Sequence, residues 1–309
     1  MTTVYAAADG LVRVYPASRV EGATDASARR LTPGLVWAHG GGFVAGDLDM
    51  PEADWVARTF ASRGVTVVSI DYRLASAGFL YPAPSDDVLA AWRWTIAHGG
   101  DLGIDPSRLV IGGASAGANL VAGAVLRLLA DAPSELPAGV FLAYPTLLAV
   151  QPAPDASLRA LLDANPAADR FGPANVRAMY EGYLGGPVDD APLPAVPGRA
   201  EASDLVDFPP VIMINGEADE LRVSGEVFAA TLNAAGVPLD LTTEPGTEHG
   251  HLNRPDEPAA SASIDRVMRW IESGFAPTSP GDPARPAHPA PLAASDHQTT
   301  LRTTEGISS

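Results

Sequence analysis

Short apolar runs alternate with amphipathic segments along most of the chain. Runs that are apolar at nearly every position predict strands buried on both faces; they are Leu35–Ala38, Val65–Ile70, Leu109–Ile111, Val140–Tyr144 and Val211–Ile214. Leu11–Tyr15 alternates apolar and polar residues, which predicts a half-exposed strand, and Leu239–Thr242 predicts the last strand. Strands that alternate with helices indicate an α/β fold, with a mostly parallel central sheet and helices on both faces.

Local signals predict where two of the helices begin. Asp49 as an N-cap, Pro51 in the first turn and Glu52 three residues after the cap form the pattern of a capping box. The next helix is expected to begin near Ser85 and to end at Gly99, with an apolar face formed by Val88, Trp92 and Ile96. Further helices are expected over 116–130, 224–235 and around 264–271.

The alternation stops between residues 146 and 210. This segment is rich in Pro, Ala and Asp, and only Ala174–Leu184 is a convincing helix. A departure of this length is too long for an ordinary loop, so we expect an insertion that folds over the site as a cap or lid. The alternative is an exposed excursion without a role in substrate binding.

Composition limits the remaining possibilities. Beyond Phe275 the chain has six prolines and no aromatic residue, so we expect one domain over residues 1–275 and a disordered, Pro-rich tail over 276–309. The formal net charge of −17 disfavours nucleic acid and anionic membranes as partners. No apolar run approaches the ~20 residues of a transmembrane helix, and no signal peptide is visible, so a cytoplasmic protein is expected.

Two kinds of chemistry are excluded at this stage. The chain has no cysteine, which rules out disulfides, thiolate metal sites and cysteine nucleophiles. Its six histidines lack helical metal-binding spacing, and no Gly-rich phosphate loop of the Walker type is present. No metal and no organic cofactor is therefore expected.

A Gly-rich turn follows the strand at Leu109–Ile111. Gly113-x-Ser115-x-Gly117 lies between this strand and the Ala- and Leu-rich helix that begins at Ala116. This is the pattern of a nucleophile elbow, in which a strained serine stands on a sharp turn between strand and helix. The alternative is a Gly-rich turn whose serine only caps the helix.

Other chemically interesting residues also follow predicted strands. The sequence His39-Gly40-Gly41-Gly42 follows one strand, Asp219 follows Val211–Ile214, and His249 follows the last strand. Ligands of parallel α/β sheets bind at the carboxyl ends of the strands. The order Ser115, Asp219, His249 is the chain order of an α/β-hydrolase triad.

Five motifs together resemble one known family. They are HGGG at 39–42, DYRLA at 71–75, GASAGAN at 113–119, DELR at 219–222 and HGH at 249–251. With these motifs the chain resembles the hormone-sensitive-lipase-like carboxylesterases, a group of the α/β-hydrolases, from about Leu11 to Gly274. The resemblance implies that Ser115 is the nucleophile, that His249 is the general base and acid, and that Asp219 orients the imidazole.

The resemblance also implies an oxyanion hole and a reaction. The backbone N–H groups of Gly41, Gly42 and Ala116 match the family's oxyanion hole, and the expected reaction is hydrolysis of a carboxylic ester through an acyl-enzyme. An amide, carbamate or lactone hydrolase, an acyltransferase or a non-catalytic receptor on the same fold are the alternatives. A small-molecule ester is the expected partner, and a homodimer is a further expectation.

Several assignments within this scheme have rivals. His251 competes with His249 as the base, and Glu220 and Glu217 compete with Asp219 as the acid. Residues expected to brace loops without taking part in the chemistry are His39, Asp71, Arg73, Asp86, Asp87 and Asn119. Residues of the insertion that would either line an acyl pocket or form a small core of their own are Phe171, Met179, Tyr180 and Tyr183.

Two departures from the family pattern bear on the substrate. Ala114 stands where relatives usually carry Asp or Thr, so one hydrogen-bonding group is missing beside the serine. Only 38 residues precede His39, whereas relatives usually carry more and use them in the cap. The expectation is a less covered site that accepts short-acyl or small soluble esters.

Overall fold

A single mixed sheet forms the centre of the protein. The computed structural model describes residues 3–18 and 31–277, and the strands among them pair in the order β1-β2-β4-β3-β5-β6-β7-β8. The strands are Tyr5–Ala7 (β1), Val12–Tyr15 (β2), Thr32–Ala38 (β3), Thr66–Ile70 (β4), Ile104–Ala114 (β5), Gly139–Ala143 (β6), Val211–Ala218 (β7) and Leu239–Glu248 (β8). The α-helices are Pro51–Ser62 (α1), Ala83–Leu102 (α2), Ala116–Asp131 (α3), Ala156–Ala164 (α4), Pro173–Leu184 (α5), Arg222–Ala234 (α6) and Pro258–Glu272 (α7).

Strand direction confirms the predicted α/β class. β2 is antiparallel to β1 and β4, and every other pairing in this sheet is parallel. Alternate side chains of the central strands enter two cores, as the period of a strand requires. Val36 and Ile111 pack in the core with α2, α3 and α6, whereas Leu35 and Val110 pack in the core with α1 and α7. Burial on both faces explains why these strands are almost entirely apolar.

Strand bounds differ from the prediction at polar residues. The turn expected at Asp105–Ser107 lies inside β5, where the register against β3 shifts between the pairs Thr32–Ile104 and Gly34–Leu109. β7 and β8 continue to Ala218 and Glu248, past the apolar runs that predicted them. Polar residues there sit in extended backbone because the neighbouring strand supplies their hydrogen bonds, a contribution that local sequence does not contain.

Both predicted helix caps are wrong. α1 begins at Pro51 after Met50, and no side chain caps it. The carboxylate of Glu52 accepts hydrogen bonds from Gly40 and Asn253, so it does not complete a capping box. α2 begins at Ala83, and the Ser85 hydroxyl accepts a hydrogen bond from Arg127 (2.9 Å) rather than capping the helix.

Two further expectations about α2 are also corrected. The helix ends at Leu102, where Gly103 takes the left-handed conformation, and not at Gly99. Ile96, expected on the buried face, is 43% exposed. Val88 and Trp92 are buried as expected.

The insertion at 146–210 is more ordered than its composition suggests. It contains α4 as well as the expected helix α5, followed by short 3₁₀ turns. Tyr180 and Tyr183 are fully buried in the same core cluster as α2 and α3. A Cβ on Gly123 of α3 would lie 2.0 Å from the carbonyl oxygen of Pro194, so the insertion packs directly on that helix.

The predicted tail at 276–309 lies outside the described residues from position 278 onward. Within the part of the chain that is described, no helix is long and apolar enough to cross a membrane.

The closest backbone contact around the elbow is made by glycines. A Cβ on Gly117 would lie 2.3 Å from the carbonyl oxygens of both Ala38 and His39, and a Cβ on Gly113 would lie 2.5 Å from the carbonyl group of Gly117. Helix α3 can therefore pass over the ends of β3 and β5 only if both positions lack a side chain.

This contact predicts the effect of two alanine substitutions. Gly117→Ala should destabilise the fold by about 3 kcal/mol or more, because backbone atoms cannot yield to the added methyl, and should lower the thermal midpoint by about 6–12 °C. The matched control is Gly100→Ala, in α2 with no atom within 4 Å of the new methyl. Alanine should raise or preserve stability there. Equal midpoints for both variants, measured by calorimetry, would contradict the packing argument.

Candidate active site

Ser115 lies on the turn between β5 and α3. Its backbone has φ 51° and ψ −115°, a conformation that side chains rarely adopt. Its N–H donates to the carbonyl oxygen of Ala143 on β6 (2.9 Å), and its own carbonyl accepts from the N–H of Asn119 (3.2 Å). These bonds stabilise a strained turn that directs the hydroxyl away from the sheet, as a nucleophile elbow requires.

The structure brings three of the predicted residues into one hydrogen-bonded chain. Ser115 Oγ lies 2.9 Å from His249 Nε2, and His249 Nδ1 lies 2.7 Å from Asp219 Oδ2. The other carboxylate oxygen of Asp219 accepts the N–H of Leu221 (3.0 Å). An ionised carboxylate only accepts, so Nδ1 carries the proton and Nε2 presents a lone pair to the serine hydroxyl.

The rival residues have other partners. His251 is fully buried, and its Nε2 is bound to Ser263 Oγ (2.8 Å) rather than to Ser115. Glu217 accepts the N–H of Gly246 (2.8 Å), and Glu220 lies near Asp169. Burial, together with the nearby negative charge of Asp169, raises the pKa of Glu220.

Aromatic rings enclose the imidazole of His249 on two sides. The ring of Phe171, from the insertion, lies edge-on with its centroid 4.6 Å from that of His249. The ring of Tyr144, directly after β6, lies edge-on at 5.1 Å. A ring held between two others keeps few rotamers, which favours a fixed orientation toward Ser115.

The HGGG motif forms a tight loop after β3. Gly41 has φ 121°, and a Cβ there would lie 1.9 Å from the carbonyl oxygen of Ala45. Gly42 has φ 61°, so only glycine adopts both conformations readily. Ala116 is the first residue of α3, where backbone N–H groups have no partner within the helix. The predicted oxyanion donors thus lie on two turns, namely the HGGG loop after β3 and the turn between β5 and α3 that carries Ser115.

His39 supports this loop through a hydrogen bond to Gly40. Its ring stacks on Tyr72 (centroids 4.4 Å apart), and Nδ1 donates to the carbonyl oxygen of Gly40 (2.6 Å). Burial lowers the pKa of His39, which keeps the ring neutral. The structure therefore places His39 as a loop support, as the sequence predicts.

Glu52 is a site residue that sequence reasoning missed. Its buried carboxylate accepts the N–H of Gly40 (2.5 Å), Nδ2 of Asn253 (3.0 Å) and the hydroxyl of Tyr144. One side chain thus joins the HGGG loop, the ring beside His249 and the turn after His249. Its spacing from Asp49 was consistent with a capping box, and nothing in the sequence indicated a partner as distant as Asn253.

The remaining predicted supports make the following contacts. Arg73 binds both carboxylate oxygens of Asp87 at 2.8 Å, and Asp86 pairs with Arg127 (2.7 Å). The side-chain amide of Asn119 donates to the hydroxyl of Tyr180 in the insertion (2.8 Å). Two more predicted positions are placed without a chemical role: Asp71, whose N–H donates to the carbonyl oxygen of Leu11, and Ala114, buried at the end of β5.

The arrangement as a whole supports acyl transfer. It offers a serine hydroxyl, an imidazole at hydrogen-bonding distance and backbone N–H groups on two turns. In residues 3–18 and 31–277, no group of three or more His, Cys, Asp or Glu side chains is placed to hold a metal ion.

The environment of His251 predicts a pH effect on stability. Burial lowers the pKa of His251 to about 4, from an ordinary value of 6.5. Between these values the unfolded chain binds a proton that the folded chain does not, so the free energy of unfolding falls as the pH falls. From pH 7 to pH 4 the protonation of this residue in the unfolded chain should lower the free energy of unfolding by about 3 kcal/mol.

Urea unfolding of the parent and of His251→Gln at both pH values measures this cost. The glutamine variant should lose about 3 kcal/mol less than the parent over the interval, whatever its stability at pH 7. Parallel losses in the two proteins would show that His251 does not titrate as described.

Comparison with known proteins agrees with this geometry. A family model described as the alpha/beta hydrolase fold matches residues 35–253. The chain is 38% identical over 226 residues to carboxylesterase NlhH of Mycobacterium tuberculosis, covering 72% of this chain and 67% of that protein. It is 33% identical over 228 residues to the ethyl acetate hydrolase of Pseudomonas putida, covering 71% and 65% respectively.

A solved structure with the same fold extends the comparison. Brefeldin A esterase, described as a bacterial homologue of human hormone-sensitive lipase, superposes with a TM-score of 0.71 at 25% identity. The match covers 89% of this chain and 76% of that one. The chain belongs to the α/β-hydrolase fold family, within the carboxylesterases that resemble hormone-sensitive lipase.

Proposed function

We propose that the protein hydrolyses carboxylic esters through an acyl-enzyme formed on Ser115. The observation that carries this proposal is the hydrogen-bonded chain from Ser115 through His249 to Asp219, beside a loop of glycines that can present N–H groups. The two relatives described above, carboxylesterase NlhH and the ethyl acetate hydrolase, are esterases by name, which agrees with the ester as the substrate class.

The first half of the reaction forms the acyl-enzyme. Ser115 Oγ attacks the carbonyl carbon of the ester while its proton passes to His249 Nε2. Negative charge develops on the carbonyl oxygen, and the N–H groups of Gly41, Gly42 and Ala116 stabilise it. The tetrahedral intermediate then releases the alcohol, which takes the proton from His249 and leaves the acyl group on Ser115.

The second half repeats these steps with water. His249 takes a proton from a water molecule, whose oxygen attacks the acyl carbon, and then returns the proton to Ser115 as the acid leaves. Asp219 holds the imidazole in the required tautomer and stabilises the imidazolium that forms in each half. No group beyond these side chains and backbone amides is needed for the proton transfers.

Two side chains of the insertion limit the space around the reacting atoms. Met179 Sδ lies 3.4 Å from the position that a Cβ on Gly42 would take, so it covers the proposed oxyanion loop. Phe171 covers one side of His249. A preference for short acyl groups is therefore argued from apolar side chains beside Gly42 and His249 rather than from a less covered site. The ethyl acetate hydrolase among the relatives agrees with this size.

The burial of Tyr180 and Tyr183 in the main core supports a domain assignment. We propose residues 1–275 as the catalytic domain, with 146–210 as a cap that is part of its core through Tyr180 and Tyr183. A homodimer and a cytoplasmic location stay predictions.

Replacing the nucleophile tests the central proposal. Purified protein should hydrolyse p-nitrophenyl acetate, and Ser115→Ala should lose activity by a factor on the order of 10⁶. Asp219→Asn should lose about 10⁴ because the imidazole takes the wrong tautomer. The control is Ser62→Ala, at an exposed position at the end of α1, which should keep full activity. Similar rates for Ser115→Ala and the parent would refute the proposed nucleophile.

Acyl-chain length tests the proposed pocket. The parent should cleave p-nitrophenyl acetate with a higher kcat/KM than the dodecanoate, because Met179 and Phe171 leave little room. Met179→Ala should improve kcat/KM for the longer ester about tenfold, a value typical of one pocket side chain. An unchanged ratio of the two substrates in this variant would place the acyl group elsewhere.

A further inference from the structure

Residues 165–171 of the insertion, called here the insertion arm, contact His249 and its neighbour. Asn165 Nδ2 donates to Glu248 Oε1 (2.6 Å), and Arg170 Nη2 donates to the backbone carbonyl oxygen of His249 (3.2 Å). The ring of Phe171 packs edge-on against the imidazole. Two residues of the arm thus contact His249 itself, Phe171 at the side chain and Arg170 at the backbone, and Asn165 contacts the residue before it.

The sheet itself gives His249 little support. Among the strands of the described residues, β8 is the last in the sheet and pairs with β7 alone. The register between these strands shifts between Gly216 and Ala218, and the ladder ends at the pair Ala218–Glu248. The next residue after His249 is Gly250, with φ 78°. The position of the imidazole therefore depends on contacts from outside the strand ladder.

Glu248 links the arm to the chain after the histidine. Its second carboxylate oxygen accepts from Arg254 Nη2 (2.6 Å), opposite the bond from Asn165. These two donors lower the pKa of Glu248, so the carboxylate is ionised at neutral pH. The segment on both sides of His249 is consequently held by hydrogen bonds to a charged group, which are stronger than neutral ones.

The arm is itself well supported. The N–H of Asn165 donates to the carbonyl oxygens of Leu161 and Leu162 at the end of α4. Ala168 of the arm lies in a small apolar cluster with Leu158 and Leu162 of α4 and with Val223 of α6. Gln151 Nε2 donates to the carbonyl oxygens of Phe171 and Glu220 (3.3 Å each). An element with its own core and hydrogen bonds can set the position of a neighbour, whereas a loose loop cannot.

We infer that the insertion arm is a positioning element for His249, with Asn165 and Arg170 as positioning residues that set the rate of proton transfer at Ser115. This inference rests on the proposed function, because it assigns the arm to the general base of that reaction. The insertion then has two roles, since its Met179 side chain bounds the substrate while its arm orients the base.

The double variant Asn165→Ala/Arg170→Ala tests this role. Both side chains lie at or near the surface, so their removal should leave the fold intact and the thermal midpoint within a few degrees. We expect kcat for p-nitrophenyl acetate to fall about ten- to a hundredfold, as for small displacements of a catalytic group, with KM within about twofold. The rate of Ser115 labelling by a fluorophosphonate should fall by a similar factor.

Arg177→Ala provides the matched control. Arg177 lies on the surface of α5 in the same insertion and pairs only loosely with Glu181 (3.8 Å). This variant should keep the parent's kcat and labelling rate. Arg170→Ala alone is measured beside the double variant, and should show an intermediate loss.

The outcomes separate this inference from the proposed function. An intact kcat with a raised KM in the double variant would overturn the positioning role, because the arm would then only line the substrate pocket. An equal loss of kcat in Arg177→Ala would overturn it too. A parent whose Ser115 is neither active nor labelled would refute the proposed function and the inference together.

Discussion

The close approach of α3 to the ends of β3 and β5 is the constraint on which the rest of the site depends. At Gly113 and Gly117 the backbones pass so near that no side chain fits, and the residue between them must turn sharply. Ser115 takes this turn at a positive φ, at a cost of order 1–3 kcal/mol that the surrounding structure has to offset. Bonds to Ala143 and Asn119 contribute to that offset. Because the turn is rigid, every partner of the serine has to be brought to it.

Two buried carboxylates bring those partners into place. Asp219 binds the imidazole of His249, and Glu52 joins the HGGG loop to Tyr144 and to Asn253. A buried carboxylate is stable only when donors surround it, so each of these acids imposes a fixed geometry on the groups that it binds. His249 and the HGGG loop are thus connected through Tyr144 and Glu52.

The insertion contacts both α3 and His249. Tyr180 accepts a hydrogen bond from Asn119 on α3 and donates one to the carbonyl oxygen of Thr146, so the insertion is bonded to the helix that follows Ser115. Arg170 and Phe171 contact His249 from the other direction. A segment that is bonded to α3 and also packed against His249 cannot move without affecting both. This coupling distinguishes it from an independent lid.

The sequence by itself determined the mostly parallel sheet, the turn at Ser115 between strand and helix, and the placement of Asp219 and His249 after strands. These follow from local information: apolar runs, glycines at fixed spacing and the rule that parallel strands present their carboxyl ends at one edge. Only the tertiary structure decided that the carboxylate of Glu52 binds the HGGG loop instead of completing a capping box, and that His251 binds Ser263. The contact between the insertion arm and His249 was also decided only there. Those outcomes depend on hydrogen bonds between residues far apart in the chain, such as Glu52 and Asn253. No local pattern encodes such pairs, because their energy exists only once the chain has folded.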